Sequence, residues 1–310
     1  MSVFLTGMHP FNMSSSDFNS ARHAHIVTRV FGGLGNQLFQ YAAGRAAALR
    51  NGCDLVLDAR PFETDSLRDY ELHHFNIAAR IGTDEELPPD RTSKIRYLFW
   101  KAGRDARQRL IREKSLKFDQ RVLGVSANAI IDGYWQCERY FADHAQQIRE
   151  DLTIKAPASD RNRQWLDRIS ARNTVSVHIR RGDYVSVKKN QTVFAVCKPE
   201  YYRNAAETLR RLVGDDIEFL AFSDDPDWVA RKITLPGTLH VIRHNSGDRA
   251  FEDLRLMSAC RHHIIANSSF SWWGAWLNPS AKKIVIAPRR WFVEYDDRSR
   301  DIVPKSWARI

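Results

Sequence analysis

Apolar and polar positions along this chain switch repeatedly between the spacing of strands and the spacing of helices. The run His25–Phe31, "HIVTRVF", is short and rich in β-formers, and it leads into the glycine turn Gly32–Asn36. Beyond the turn, "QLFQYAAGRAAALRN" sets Leu38, Tyr41, Ala42 and Leu49 at helical spacing, and "CDLVLDAR" is again a short apolar strand. Strand, glycine turn, helix and strand in that order predict two parallel strands joined by a crossover helix.

Residues 83–120 are polar, rich in Arg and Lys, and contain "ELPPD", which reads as surface loops with an amphipathic helix. Ala129–Phe141 predicts a strand running into an aromatic turn. The segment "ASDRNRQ" near residue 160 has linker chemistry and sets the expected boundary between residues 23–158 and 159–310. Residues 1–22, rich in Ser and Asn, are expected to be a flexible extension.

The second half alternates more regularly. Candidate strands are Thr174–Ile179, Ile217–Phe222, His240–Arg243, His263–Ala266 and Ile284–Ala287. Helical stretches Pro199–Val213, Pro226–Arg231, Gly247–Cys260 and Ser269–Leu277 lie between them. Five strands with short helical crossovers predict a doubly wound α/β domain, whose ligands bind at the carboxyl ends of its strands.

Composition narrows the class. With 310 residues, 43% hydrophobic and 27% charged, the chain reads as a globular protein of one or two domains. A net charge of +10 and a pI near 9.6 call for an anionic partner: nucleic acid, an acidic membrane surface or a phosphorylated substrate. Basic residues are spread among acidic neighbours with no nucleic-acid-binding signature, so no nucleic acid partner is expected. The excess charge is assigned to a nucleotide cleft or to peripheral contact with an anionic inner membrane. Cys53, Cys137, Cys197 and Cys260 are far apart, which fits reduced thiols and a cytoplasmic location. Neither histidine pair, His73-His74 or His262-His263, has a metal-ligand frame, so no metal is expected. There is no secretory signal pattern and no run of about 18 apolar residues.

Chemistry concentrates at predicted strand ends. "GGLGNQ" between strand and helix leaves backbone N–H groups of Gly33, Gly35 and Asn36 free for a phosphate or sugar. It also approaches a dinucleotide fingerprint, with Asp58 near the acidic position, but Leu38 replaces the third glycine. In "VHIRRGDYV", His178 and Arg180 share one face of the strand. One arginine is expected to turn into the cleft as a diphosphate clamp, with Asp183 close enough to brace it. "AFSDDPDW" brings Asp225 to the next strand end, either toward a purine's N–H groups or as the cap of an Asp-Pro helix. "HHIIANSSFSWWGAWLNP" supplies Asn267, Ser268 and Ser269 at a helix start, while Trp272, Trp273 and Trp276 read as core.

Together these motifs, with "YELHHFNI", "GYWQCERYF" and "FEDLRLMSACRHHIIANSSFSWWGAWLN", resemble the bacterial galactoside α-1,2-fucosyltransferases from residue 30 to about 290. The resemblance implies a GT-B fold of two Rossmann-like domains facing a cleft, with the N-terminal domain on the acceptor side. It implies GDP-β-L-fucose as donor, a galactose-terminated glycan as acceptor, no required cofactor or metal, and inversion at the fucose anomeric carbon. Arg180 would then bind the β-phosphate and His178 and Asp225 the guanosine. Ser268, Ser269 and Phe270 would line the nucleotide site, and Asn36 would reach the donor from the opposite domain.

The base for the acceptor hydroxyl stays open among Glu71, His73, Glu138 and Asp183, as does a route needing little base assistance. Gln136 and Glu138 either hold the acceptor or satisfy buried polar groups. An NAD-type oxidoreductase, suggested by the glycine turn and Asp58, is the rival; it leaves the arginine pair unexplained. A fucosyltransferase of another linkage is the nearer alternative.

Overall fold

The computed structural model describes residues 24–91, 93–182, 192, 195–245, 247–293 and 300–310. The expected extension 1–22 and Asp183 lie outside the described residues. In the first half, β1 (His25–Arg29), α1 (Leu34–Asn51), β2 (Asp54–Asp58) and β3 (Arg80–Ile81) are followed by α2 (Lys94–Ala102), α3 (Arg104–Arg109), β4 (Leu110–Arg112), β5 (Ile130–Asp132) and α4 (Ala145–Asp151). The second half runs α5 (Asp160–Ala171), β6 (Thr174–Ile179), α6 (Pro199–Val213), β7 (Glu218–Ser223), α7 (Pro226–Lys232) and β8 (Thr238–Val241). It ends with α8 (Ala250–Ala259), β9 (His262–Ile264), α9 (Ser269–Leu277), β10 (Val285–Ala287) and β11 (Ala308–Arg309).

The strands form two parallel sheets, ordered β3-β2-β1-β5-β4 and β11-β10-β9-β6-β7-β8. In each, the order reverses beside the first strand, so a crevice opens at the carboxyl ends of β1 and β6. Central strand β6, "TVSVHI", is buried at every position, as a strand covered on both faces must be. This is the GT-B arrangement.

The structure adds edge strands β3 and β11, giving the second sheet six strands where five were expected, and two stretches differ outright from the sequence expectation. β4 lies within the Arg-rich stretch read as surface, pairing Leu110 with Ile130 and Ile111 with Ile131 at the sheet edge. "ASDRNRQ" is no linker: the Ser159 hydroxyl accepts from the Asn162 N–H at 3.3 Å and starts α5. That helix buries Ile169 against Leu220, Phe222 and Leu256, so it packs with the second sheet.

The largest apolar cluster joins the two halves. Trp272, Trp273 and Trp276 of α9 are buried with Phe39 of α1 and with Phe141. Trp272 and Phe39 have ring centroids 4.4 Å apart, and Phe141 stacks on Trp273 at 5.5 Å. These tryptophans are core. Truncating one costs about 3–5 kcal/mol in a typical core, and here the loss would fall on the contact that fixes α9 against α1.

Candidate active site

The glycine turn and the start of α9 meet at close quarters. Gly32 has φ +77, a conformation that side chains rarely tolerate. Gly33 then opens α1 with no side-chain cap. Ser268 opens α9, also with no side-chain cap, and is buried. A Cβ on Gly35 would sit 2.5 Å from the Ser269 carbonyl carbon, 2.7 Å from its Oγ and closer still to the Phe270 nitrogen. The positive ends of two helices thus converge, and Arg68 lies 3.9 Å from where a Cβ of Gly33 would be. Such a junction favours an anion.

Arg180 stands at the end of β6 on the same side. Its Nη1 lies 2.8 Å from Asp224 Oδ2, while Asp224 Oδ1 accepts from the Arg181 backbone N–H at 2.9 Å. A Cβ on Gly182 would come within 2.6 Å of Asp224 Oδ2, so glycine follows the arginine pair to let that carboxylate in. Arg181 is diverted: its guanidinium lies 3.8 Å from the Trp228 ring centroid, with Nε 3.5 Å from Asp225 Oδ2. Asp224, passed over in the sequence for its neighbour, thus braces Arg180; Asp183, expected in that role, lies outside the described residues.

His178 is buried, and its Nδ1 has no hydrogen-bond partner among the described residues. Burial pushes its pKa down to about 4, with Arg180 adding to the shift and Asp224 opposing it. The neutral ring lies 5.6 Å from that of Phe270. Asp225 accepts from the Trp228 N–H at 3.1 Å and caps α7, so the Asp-Pro cap is the role the structure gives it. Asn267 is likewise structural: its Nδ2 donates to the carbonyls of Ala195 (2.6 Å) and Trp291 (2.7 Å).

A carboxylate not singled out in the sequence lies at the same sheet edge. Asp253 is in the first turn of α8, which packs on α9, the Gly274 site lying against Met257. Both helices run antiparallel to the strands and begin at the carboxyl edge. Neighbouring Glu252 is bound by Asn162 (3.0 Å) and Arg255 (2.7 Å), leaving Asp253 with Asn245 Nδ2 at 2.9 Å. Burial pushes the Asp253 carboxyl up to about 7, with Asn245 opposing and Glu252 adding to the rise. An acidic pair in a helix's first turn is the only signal its sequence carries.

From the N-terminal half, Asn36 Oδ1 accepts from Gln136 Nε2 at 2.8 Å, which ties the glycine turn to "GYWQ". Gln37 is buried and bonds the carbonyls of Gly32 and Asp69, both at 2.8 Å, and the Glu71 N–H at 2.9 Å. The Glu71 carboxylate is thereby held against the Leu34 N–H at the start of α1. Burial raises its pKa, opposed by Arg68, reinforced by Asp69 and opposed by that N–H. His73 is exposed, its Nδ1 2.9 Å from the Tyr70 carbonyl oxygen. Glu138 bonds the Trp276 indole at 3.3 Å, near the far end of α9 and about 10 Å from its start at 1.5 Å per residue. Glu138 therefore satisfies a buried polar group, and of the candidate bases among the described residues Glu71 is the one at the glycine turn.

The dinucleotide reading fails on Asp58. Its two oxygens hold Arg60 Nε at 2.8 Å and Nη2 at 2.9 Å, and Leu38 in the third-glycine place is buried core.

The sequence model of Glycosyl transferase family 11 matches residues 19–310. The chain belongs to this family. It is 34% identical over 294 residues to the Escherichia coli "Alpha-1,2-colitosyltransferase", covering 92% of this chain and 98% of that one. It is 24% identical over 265 residues to the Mus musculus "Galactoside 2-alpha-L-fucosyltransferase Sec1", covering 83% of this chain and 65% of that one. Among solved structures, a point mutant of Arabidopsis thaliana FUT1 in complex with GDP superposes with a TM-score of 0.50 at 11% identity. That match covers 87% of this chain and 74% of the other, and it bears on the fold alone.

Proposed function

We propose that the protein moves L-fucose from GDP-β-L-fucose to the 2-hydroxyl of a galactoside, with inversion and without a metal. The observation that carries this is Arg180, braced by Asp224 at the carboxyl end of β6, the sheet edge from which α9 also rises to meet the start of α1, both helix starts uncapped. As the bond from anomeric carbon to β-phosphate oxygen breaks, charge grows on the leaving diphosphate. A fixed guanidinium and helix-end N–H groups are preorganised to receive it. The galactoside 2-hydroxyl forms the new bond from the opposite face, and its proton passes to Glu71, whose raised pKa suits a base. The neutral His178 ring and the Asp253 carboxylate are proposed to read the guanosine. A carboxylate pairs naturally with guanine's adjacent ring N–H and amino group. Residues 23–158 would form the acceptor-side domain and 159–310 the donor domain.

A second donor fits the same machinery. Colitose is the 3-deoxy analogue of L-fucose, and a colitosyltransferase is 34% identical to this chain. Comparing kcat/KM for the two GDP-sugars decides between them.

Calorimetric titration with GDP, ADP and NADH, with and without EDTA, tests the donor half. Micromolar GDP binding indifferent to EDTA, with no response to ADP or NADH, is the expected result. Binding that needs a divalent ion, or none at all, would remove Arg180 from its role as the clamp.

The guanosine assignment predicts a pH dependence. Below pH 7 the Asp253 carboxyl is protonated and loses an acceptor, so GDP affinity should fall as pH drops. With the group near pH 7, the loss from pH 8 to 6 is about tenfold. The terminal phosphate of GDP titrates near pH 6 and acts in the same direction, so the interval from pH 8 to 7 is diagnostic. Asp253→Asn should flatten that interval; an unchanged slope in the variant would reassign the contact.

A further inference from the structure

Helix α2 covers the face of the first sheet opposite α1. Trp100 packs on the cluster of Val27, Val56, Leu87 and Ile130, and the Tyr97 hydroxyl accepts from Arg112 Nη2 at 2.7 Å. At 100° per residue, the side directed away from those two rings carries Ile95, Leu98, Phe99 and Ala102. Ile95 is 72% exposed, Leu98 61% and Phe99 78%. Apolar side chains at i, i+3 and i+4 make one patch rather than scattered exposure. Its borders are basic: Lys94 and Lys101 on one side, Arg96 on the other, with Arg104 just past the helix end, all exposed. Between residues 91 and 112 the chain has eight Lys or Arg and one acidic residue.

We infer that α2 is an interfacial anchor that lays its Ile95-Leu98-Phe99 face into an anionic lipid bilayer, with the flanking cations on the headgroups. The charge decides the occupant. A second copy of this strongly basic patch would oppose cation to cation, whereas anionic headgroups neutralise the rim while acyl chains take the apolar centre. The helix has 9 residues, and no helix among the described residues is long and apolar enough to cross a membrane, so it lies in the surface rather than spanning it. Anchored there, the N-terminal half would face acceptors carried on lipids. The donor machinery plays no part in this contact, so the two readings fail separately.

The test is cosedimentation of the full chain with vesicles of phosphatidylcholine alone and of phosphatidylcholine with phosphatidylglycerol in equal parts, at low and high salt. Binding is expected only to the anionic vesicles, weakening with salt. The exposed double substitution Leu98→Asp/Phe99→Asp should lower the partition by about tenfold or more, and Lys94→Glu/Lys101→Glu by a similar factor. GDP binding by calorimetry should be unchanged in both, showing that the fold is intact. Equal binding to neutral vesicles, or wild-type partition by the Asp variant, would overturn the inference. So would concentration-dependent dimerisation without lipid that the Asp variant abolishes while vesicles capture neither protein.

Discussion

Replacing Arg180 with alanine is expected to lower the transfer rate by at least about a hundredfold, some 3 kcal/mol of transition-state stabilisation, with the fold retained. The side chain sits at a strand end with its guanidinium partly exposed, so truncation opens no core cavity. Its partner Asp224 keeps the Arg181 N–H and is itself reachable by water, which limits the cost of leaving it unpaired. The loss should therefore appear in kcat far more than in thermal unfolding. Asp224→Ala is the companion variant. It leaves the cation present but unbraced, so its deficit should be smaller than that of Arg180→Ala and of the same kind. Turnover by Arg180→Ala within about threefold of wild type would mean that the leaving diphosphate is met by other groups.

The sequence revealed most where local pattern and tertiary role coincide. The runs 199–213 and 269–277 form helices with the bounds that their Pro and Ser starts suggested. The turn fell between strand and helix because only glycine takes φ +77 comfortably at position 32, although the helix already starts at Leu34, within the stretch read as turn. What could not be read depends on contacts distant in sequence. Leu110–Arg112 becomes a strand only because β5 offers its edge, and nothing in an Arg-rich segment announces that. Asp224 and Asp225 are chemically identical, yet one accepts from the Arg181 backbone and the other from the Trp228 N–H; backbone direction, not residue type, separates them. Asp253 is marked by burial and by Arg255 having taken Glu252, neither of which a single sequence displays. "ASDRNRQ" misled because Ser and Asp mark helix caps as readily as linkers.

Gly35→Ala is the second large effect, and here two opposing terms must be weighed. Alanine in place of glycine inside a helix favours the helix by about 1 kcal/mol. Against that, the new methyl would lie 2.5 Å from a backbone carbon of Ser269, a group that cannot swing aside as a side-chain tip can. Overpacking of this kind costs about 1–3 kcal/mol. Relief requires α1 and the start of α9 to part by about 1 Å, the difference from an ordinary van der Waals contact. That displacement moves Glu71, held by Leu34 and Gln37, away from Arg180 and Phe270, held by the second sheet. Misplacement of about 1 Å between reacting groups can cost a hundredfold in rate, so the activity loss should exceed what destabilisation alone explains. Gly44→Ala supplies the comparison. It makes the same substitution in the same helix, about 14 Å further along, but its methyl meets the Thr28 hydroxyl and Leu55 of the underlying strands. Both variants should unfold at lower temperature, whereas only Gly35→Ala should lose kcat per folded molecule. If Gly44→Ala lost as much, the close approach of the two helix starts would be a matter of stability rather than of catalytic geometry.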